Sequence, residues 1–320
     1  AALALAWWVH DYLNTPVATP GRDIVLTISP GQSFSSVVDH LQHRQVIAGK
    51  WKFMLLGRLT DTAGRIKAGE VLIHTGWTPP RILEALASGT PHLYRLQVPE
   101  GLTWWQTGRL IEESGLADFE SFAAAVKDPE LLEKWKIPGH TAEGFLFPET
   151  YFVPRPENQD ARPIVEAMLA MFWNQTRSIW PEYRPDPKTL MQTVTLASIV
   201  EKESSLPGER PLVAGVFANR LQRGMLLQAD PTVIYGLGTG FDGNIRRSHL
   251  RDRDNPYNTY VFKGLPPGPI CSPGLGSLQA ALDPADHDLL YFVSRGDGSH
   301  QFSKTLSEHN RAVRRHQLGQ

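Results

Sequence analysis

Apolar residues recur along this chain in two rhythms, and the alternation between them divides it into short strands and longer helices. Asp23 to Ile28 alternates with the period of two expected of a half-buried strand. A Pro30-Gly31 turn follows, and Ser33 is placed to cap a helix with Val37, Val38 and Leu41 on one face. A second helix is predicted over Lys50 to Leu59, a returning strand over Gly69 to Ile73, and a short helix over Pro79 to Ala87, opened by its prolines. Tyr94 to Val98 reads as another strand and Thr103 to Ser114 as another helix. The pieces Ile28-Ser-Pro-Gly-Gln-Ser-Phe and Val98-Pro-Glu-Gly-Leu-Thr-Trp resemble each other, which suggests one small α/β unit used twice.

Helical spacing continues over Asp118 to Lys127, Pro129 to Trp135, Arg162 to Arg177, Pro187 to Glu203 and Leu212 to Leu221, the last stopped by Gly224. Between them, Glu143 to Tyr151 is dense in aromatic and turn residues and reads as a crossover through the core. From Met225 onward the pattern predicts loops, then a buried strand over Leu289 to Ser294, a Gly296-Asp297-Gly298 turn and a terminal helix over Thr305 to His316. The expected fold class is α+β, a small α/β unit followed by a mixed α+β domain rich in loops. The expected divisions are 1–21, 22–96 and 97–320.

Composition narrows the partners. Lysine and arginine number 32 against 33 acidic residues in 320, a net charge of -1 with no basic stripe, so no nucleic-acid partner is expected. The single cysteine, Cys271, excludes an intramolecular disulfide and any multi-cysteine metal site, and it reads as a packing residue. Ala1 to Val9 carries no charge. Nine residues are too few to span a bilayer, which needs about 20, but Trp7-Trp8 ahead of polar His10 and Asp11 suits the interfacial end of a membrane anchor. A buried N-terminal strand and a cleaved signal peptide are the competing readings.

Familiar reaction signatures are absent. There is no G-x-S-x-G elbow, H-E-x-x-H helix or Walker A loop, and Gly236-Leu-Gly238-Thr-Gly240 lacks the dinucleotide spacing. No cofactor or metal is expected. The chemistry sits in the helix ending at Glu203. Leu196, Ile199 and Val200 precede Glu203 by seven, four and three residues and share its face, whereas Glu201 points about 200° around the helix. A carboxyl at the end of an apolar face is desolvated, which raises its pKa and suits it to act as a general acid. A solvated charge at a helix end is the simpler alternative.

Several segments in order resemble the endolytic murein transglycosylase (MltG or YceG-like) family. They are Glu143-Gly-Phe-Leu-Phe-Pro-Glu-Thr-Tyr151, Leu196-Ala-Ser-Ile-Val-Glu-Lys-Glu203, Val213-Ala-Gly-Val-Phe-Ala-Asn-Arg-Leu221, Gly224-Met-Leu-Leu-Gln-Ala-Asp-Pro-Thr-Val-Ile-Tyr-Gly236, Tyr257-Asn-Thr-Tyr260 and Gly264-Leu-Pro-Pro-Gly-Pro-Ile270. Tyr291-Phe-Val, His300 and Phe302-Ser303 extend the resemblance, while Cys271-Ser272 departs from it. The resemblance implies a LysM-like peptidoglycan-binding unit before the catalytic domain. It implies cleavage of the β-1,4 bond between N-acetylmuramic acid and N-acetylglucosamine, leaving 1,6-anhydro ends and ending nascent strands.

Location at the bacterial inner membrane, a body facing the periplasm and peptidoglycan synthases of the elongation machinery as partners belong to the same implication. A single carboxylate suffices for such a reaction, because the sugar's own C6 hydroxyl is the nucleophile. Glu203, followed by Ser204, is the expected catalytic residue. Gln228, Asp230, Asn258 and Tyr260 are the expected substrate-binding residues, with turn-fixing roles for Asp230-Pro231 and Asn258-Thr259 as the alternative. A lysozyme-type muramidase would need a second carboxylate, for which Asp230 and Glu149 are candidates. A non-catalytic peptidoglycan-binding scaffold is the third reading.

Overall fold

The first helix is one that the sequence pattern does not predict. In a computed structural model, which describes residues 2–181 and 184–317, α1 (Ala2–Asn14) replaces the buried strand considered for the N-terminus. The segment has no period of two to hold it in a sheet, and its alanines and leucines favour a helix. Leu3, Leu5 and Trp7 are exposed. Among the described residues, no helix is long and apolar enough to cross a membrane.

The chain divides into two units. One contains the described residues up to Arg95 together with Phe152–Arg155, and the other contains Leu96–Tyr151 and the residues from Pro156 onward. In the first, β1 (Asp23–Ile28) leads through α2 (Phe34–His43) and α3 (Lys50–Leu59) to β2 (Gly69–His74), followed by α4 (Pro79–Ser88). β1 and β2 are antiparallel, with Asp23 opposite His74 and Ile28 opposite Gly69. Ser33 caps α2 by accepting a hydrogen bond from the Ser36 amide. Alternate strand residues Leu26, Ile28, Val71 and Ile73 meet the apolar faces of the helices in a single core. Gly57 lets α3 sit against the Phe34 ring, where a Cβ would collide with it.

Next along the chain, β3 (Leu93–Gln97) leads to α5 (Trp104–Glu113), α6 (Phe119–Ala125), α7 (Pro129–Trp135) and β4 (Thr150–Pro154), and β4 pairs with β3. The boundary between units falls inside both strands. The suspected repeat is real at the level of local geometry. Gly31 and Gly101 have φ of 75° and 77°, and Ser33 and Thr103 each cap the next helix from extended backbone. Gln106 completes a capping box with Thr103.

There follow α8 (Arg162–Gln175), α9 (Pro187–Glu203), α10 (Arg210–Gln222), α11 (Asp230–Leu237), α12 (Arg247–Arg251), α13 (Leu275–Leu282), β5 (Tyr291–Ser294), β6 (His300–Ser303) and α14 (Leu306–Gln317). α9 is the central rod of this unit and packs against α10, α11 and α13. The region after Met225 is therefore not all loop. α11, α12 and α13 have eight, five and eight residues, and Pro231 and Gly236 in α11 and Gly276 in α13 give their sequences the look of a loop. Asp230-Pro231 looks like a turn but forms the first turn of α11, where proline is tolerated.

Candidate active site

α9 begins with Asp186, whose carboxylate accepts from the Lys188 and Thr189 amides at 3.1 Å each. Its second half is enclosed on nearly every side, from Thr193 through Val200. Leu196, Ile199 and Val200 join Val213, Phe217, Leu227 and Ile270 in one core. Ser204 ends the helix in extended backbone, and its hydroxyl donates to the Leu206 carbonyl at 3.1 Å. Ser204 therefore fixes the exit of the chain and leaves the Glu203 carboxyl free of it.

That carboxyl retains some solvent access but is largely surrounded by protein. Burial pushes its pKa up to about 7, the negative charge of Asp230 adds to the rise, and Arg220 opposes it. At neutral pH a substantial fraction is protonated. Asp230, at the start of α11, accepts a 2.5 Å hydrogen bond from the Tyr260 hydroxyl, and burial together with Asp230 holds the phenol above its ordinary pKa. Three elements thus converge electrostatically: the end of α9, the start of α11 and the Tyr257–Tyr260 loop.

The 228–232 and 258–260 segments are fastened to each other. The Gln228 amide donates to the Thr259 carbonyl at 3.1 Å and the Ala229 amide to the Thr259 hydroxyl at 3.0 Å. Gln228 holds a left-handed φ of 51° with its side chain exposed, a backbone state that costs a non-glycine residue energy and clusters at functional sites. Asn258 is fully buried. Its amide donates to the His249 and Asp252 carbonyls at 3.1 and 2.7 Å, and its oxygen accepts from the Tyr260 amide at 3.0 Å. With these bonds made inside the loop, Asn258 shapes the backbone that presents Tyr260, the turn-fixing alternative for this residue.

Arg220 has a role that the sequence reading did not assign. It is buried on α10, with Nε donating to the Leu290 carbonyl and Nη1 to the Leu227 carbonyl at 2.7 Å each. Among the described residues it has no direct ion pair, so its charge acts on Glu203 through the protein interior. The signal was present: Arg220 follows Val213 and Phe217 by seven and three residues, on an apolar face.

Glu201 is tied down elsewhere. It accepts from the Gly274 amide at 3.0 Å and pairs with Arg210 at 3.5 Å, which also reaches Glu100 at 3.2 Å. Glu149 bonds the adjacent Thr150 amide at 2.8 Å and acts electrostatically on Tyr151, so Asp230 is the carboxylate that bears on Glu203. Glu143 is a second buried acid that the sequence reading passed over. It accepts from the Trp104 amide at 3.1 Å and bonds Tyr235, and burial lifts its pKa to about 8. Tyr235 in turn packs between Trp105 and Tyr257, with ring centroids 4.9 and 4.7 Å away. Cys271 is fully buried with its thiol on the Ser198 carbonyl at 3.3 Å.

Two expected results follow from these contacts. Asp230→Asn removes a neighbouring negative charge, so the Glu203 pKa falls. The alkaline limb of a pH–activity profile should move down by about half to one unit. Glu143→Ala strands the Trp104 amide and the Tyr235 hydroxyl, at a cost of about 2–4 kcal/mol. A urea-unfolding midpoint identical to that of the parent would show the network to be dispensable.

A family model described as the YceG-like family matches residues 26–315. The chain is 30% identical over 316 residues to the endolytic murein transglycosylase of Bacillus subtilis (strain 168), which covers 94% of this chain and 87% of that protein. It is 30% identical over 282 residues to the endolytic murein transglycosylase of Streptococcus pneumoniae serotype 2, covering 78% of this chain and 51% of that relative's length. The crystal structure of a yceG-like protein from Listeria monocytogenes matches with a TM-score of 0.62 at 30% identity, covering 90% of this chain and 98% of that one.

Proposed function

The chain belongs to the YceG-like family, and from that premise we propose that it is an endolytic lytic transglycosylase of peptidoglycan with Glu203 as its acid and base. The observation that carries the reading is the Glu203 carboxyl, held by burial at a pKa of about 7 beside Asp230 and Arg220. Protonated Glu203 gives its proton to the glycosidic oxygen as the bond from C1 of the muramic acid breaks. The resulting carboxylate then takes the proton of the C6 hydroxyl as O6 bonds to C1, giving the 1,6-anhydro end and restoring the acid. No water enters the balance.

Asp230 serves twice in this scheme. Its charge keeps Glu203 protonated in the resting enzyme and favours the positive charge that develops at C1. Tyr260 holds Asp230 in place, and the exposed Gln228 side chain beside it is free to meet acetamido groups. Along α9, a groove of about 640 Å³ is bordered by Gln192, Leu196, Leu221, Leu265 and Pro266, and Glu203 and Asp230 are not among the residues that line it. The β-α-α-β order of the first unit supports a LysM-like peptidoglycan-binding role. The resemblance supports an anchored enzyme on the periplasmic side of the inner membrane, ending strands beside the elongation synthases.

Mass spectrometry of digested glycan strands tests the assignment. Anhydro-muramic ends support it. Reducing ends would favour a muramidase, for which the Asp230 charge facing Glu203 is the specific argument, and intact strands would favour a binding scaffold.

The pH profile gives a second check. Glu203 acts first as an acid, so activity should be retained below pH 7 and lost as pH rises through about 7. An alkaline limb two units higher would assign the limiting proton to another group.

A further inference from the structure

α3 is apolar on two opposite sides. Phe53 and Gly57 face the core of the first unit. On the other side Trp51, Leu55 and Leu59, at i, i+4 and i+8, form a stripe that is 60%, 49% and 76% exposed. A surface helix ordinarily turns polar residues to solvent at these positions. The stripe has basic edges instead. Lys52 and Arg58 flank it, and the helix, KWKFMLLGRL, contains no acid.

The surrounding sequence has the same bias. Arg44, Lys50, Lys52, Arg58, Arg65 and Lys67 stand against Asp61 alone between positions 44 and 67, in a chain whose net charge is -1. Of these, only Lys50 forms an ion pair, with Asp39, among the described residues. α1 continues the face: Trp8 stacks on Trp51 at 5.6 Å, and the Lys52 ammonium lies 4.4 Å from the Trp8 ring centre.

We propose that this face seats the first unit on an anionic lipid bilayer, with α3 lying in the plane of the headgroups. The occupant follows from the chemistry of the stripe. Tryptophan and leucine enter the headgroup–acyl boundary, flanking lysine and arginine reach back to anionic headgroups, and the aromatic pair sits at the interface. No acid or hydrogen-bonding side chain interrupts the three apolar residues to register a protein partner. Unlike an N-terminal tether, the surface belongs to the folded unit and fixes which side of that unit meets the lipid.

Co-sedimentation with vesicles of phosphatidylcholine, with and without phosphatidylglycerol, tests this. Binding should be about tenfold tighter or more with the anionic lipid and should weaken at high salt. Leu55→Gln with Leu59→Gln, leaving α1 intact, should weaken binding about tenfold without moving the thermal midpoint. Brominated acyl chains should quench a tryptophan signal that Trp51→Phe removes. Unchanged binding by the leucine variant, or no quenching assignable to Trp51, would place the contact on α1 alone and overturn the proposal. Self-association lost on the leucine substitutions, without vesicle binding, would assign the face to a second copy and overturn it equally.

Discussion

Glu203→Gln is expected to fold normally and to lose strand cleavage by about a thousandfold or more, with the loss in turnover and not in strand binding. The amide matches the carboxyl in shape but neither gives nor takes the proton. Stability supplies an independent readout. The folded pKa of about 7 lies above the ordinary 4.5, so the folded protein holds a proton that the unfolded chain releases. That contribution is present below pH 4.5 and fades as pH rises to 7. The glutamine variant has no such loss, and above pH 7 it should be the more stable protein by about 1–3 kcal/mol. Glu201→Gln is the matched control: it weakens the ties to Gly274 and Arg210 but should keep turnover per folded molecule. Near-parental cleavage by the Glu203 variant, with loss in the Glu201 variant, would reverse the assignment.

Arg220→Met should carry the largest penalty in stability. It removes a buried guanidinium whose donors satisfy the Leu290 and Leu227 carbonyls, at a cost of about 3–5 kcal/mol. It should also act at a distance. Arg220 lowers the Glu203 pKa, so its loss moves the alkaline limb of activity upward. Arg220→Lys keeps the charge without the planar fork and should recover most of the limb's position but only part of the stability. Denaturant midpoints and pH–rate profiles measured together decide the matter. Lost stability with an unmoved limb would make Arg220 a structural clip only.

What the sequence made legible followed the length and regularity of each element. Pro187 to Glu203 has a proline start, four turns of apolar spacing and an acidic end, and the helix found has those bounds. The Ser33 cap was legible because it precedes an apolar run by one residue. α11, α12 and α13 were not, because they are short and the Pro231, Gly236 and Gly276 within α11 and α13 imitate loop chemistry. β6 escaped for a related reason: four residues, His300 to Ser303, become a strand by pairing with β5.

The site was legible where one element contained the argument. The apolar face of α9 pointed to Glu203, but the same view placed Glu201 merely elsewhere, when it is buried against Gly274. Arg220 and Glu143 sit in equally apolar stretches, and the Leu290 carbonyl and Trp104 amide that they bond lie far along the chain, out of reach of any local pattern. Asn258 was grouped with the sugar-facing residues on its chemistry alone, and only the fold shows its amide turned inward.

The acid strength of Glu203 is a property of the assembled core and not of residue 203 itself. In a chain still being threaded into place, with α10 and α11 not yet packed on α9, this glutamate is an ordinary carboxyl with a pKa near 4.5. At pH 7 about one such molecule in 300 carries the proton, against roughly half once the helices close around it. On the proposed assignment of Glu203, the packing of α10 and α11 onto α9 raises the protonated share of this carboxyl about 150-fold at pH 7, and a local opening there returns it to the ordinary carboxylate range.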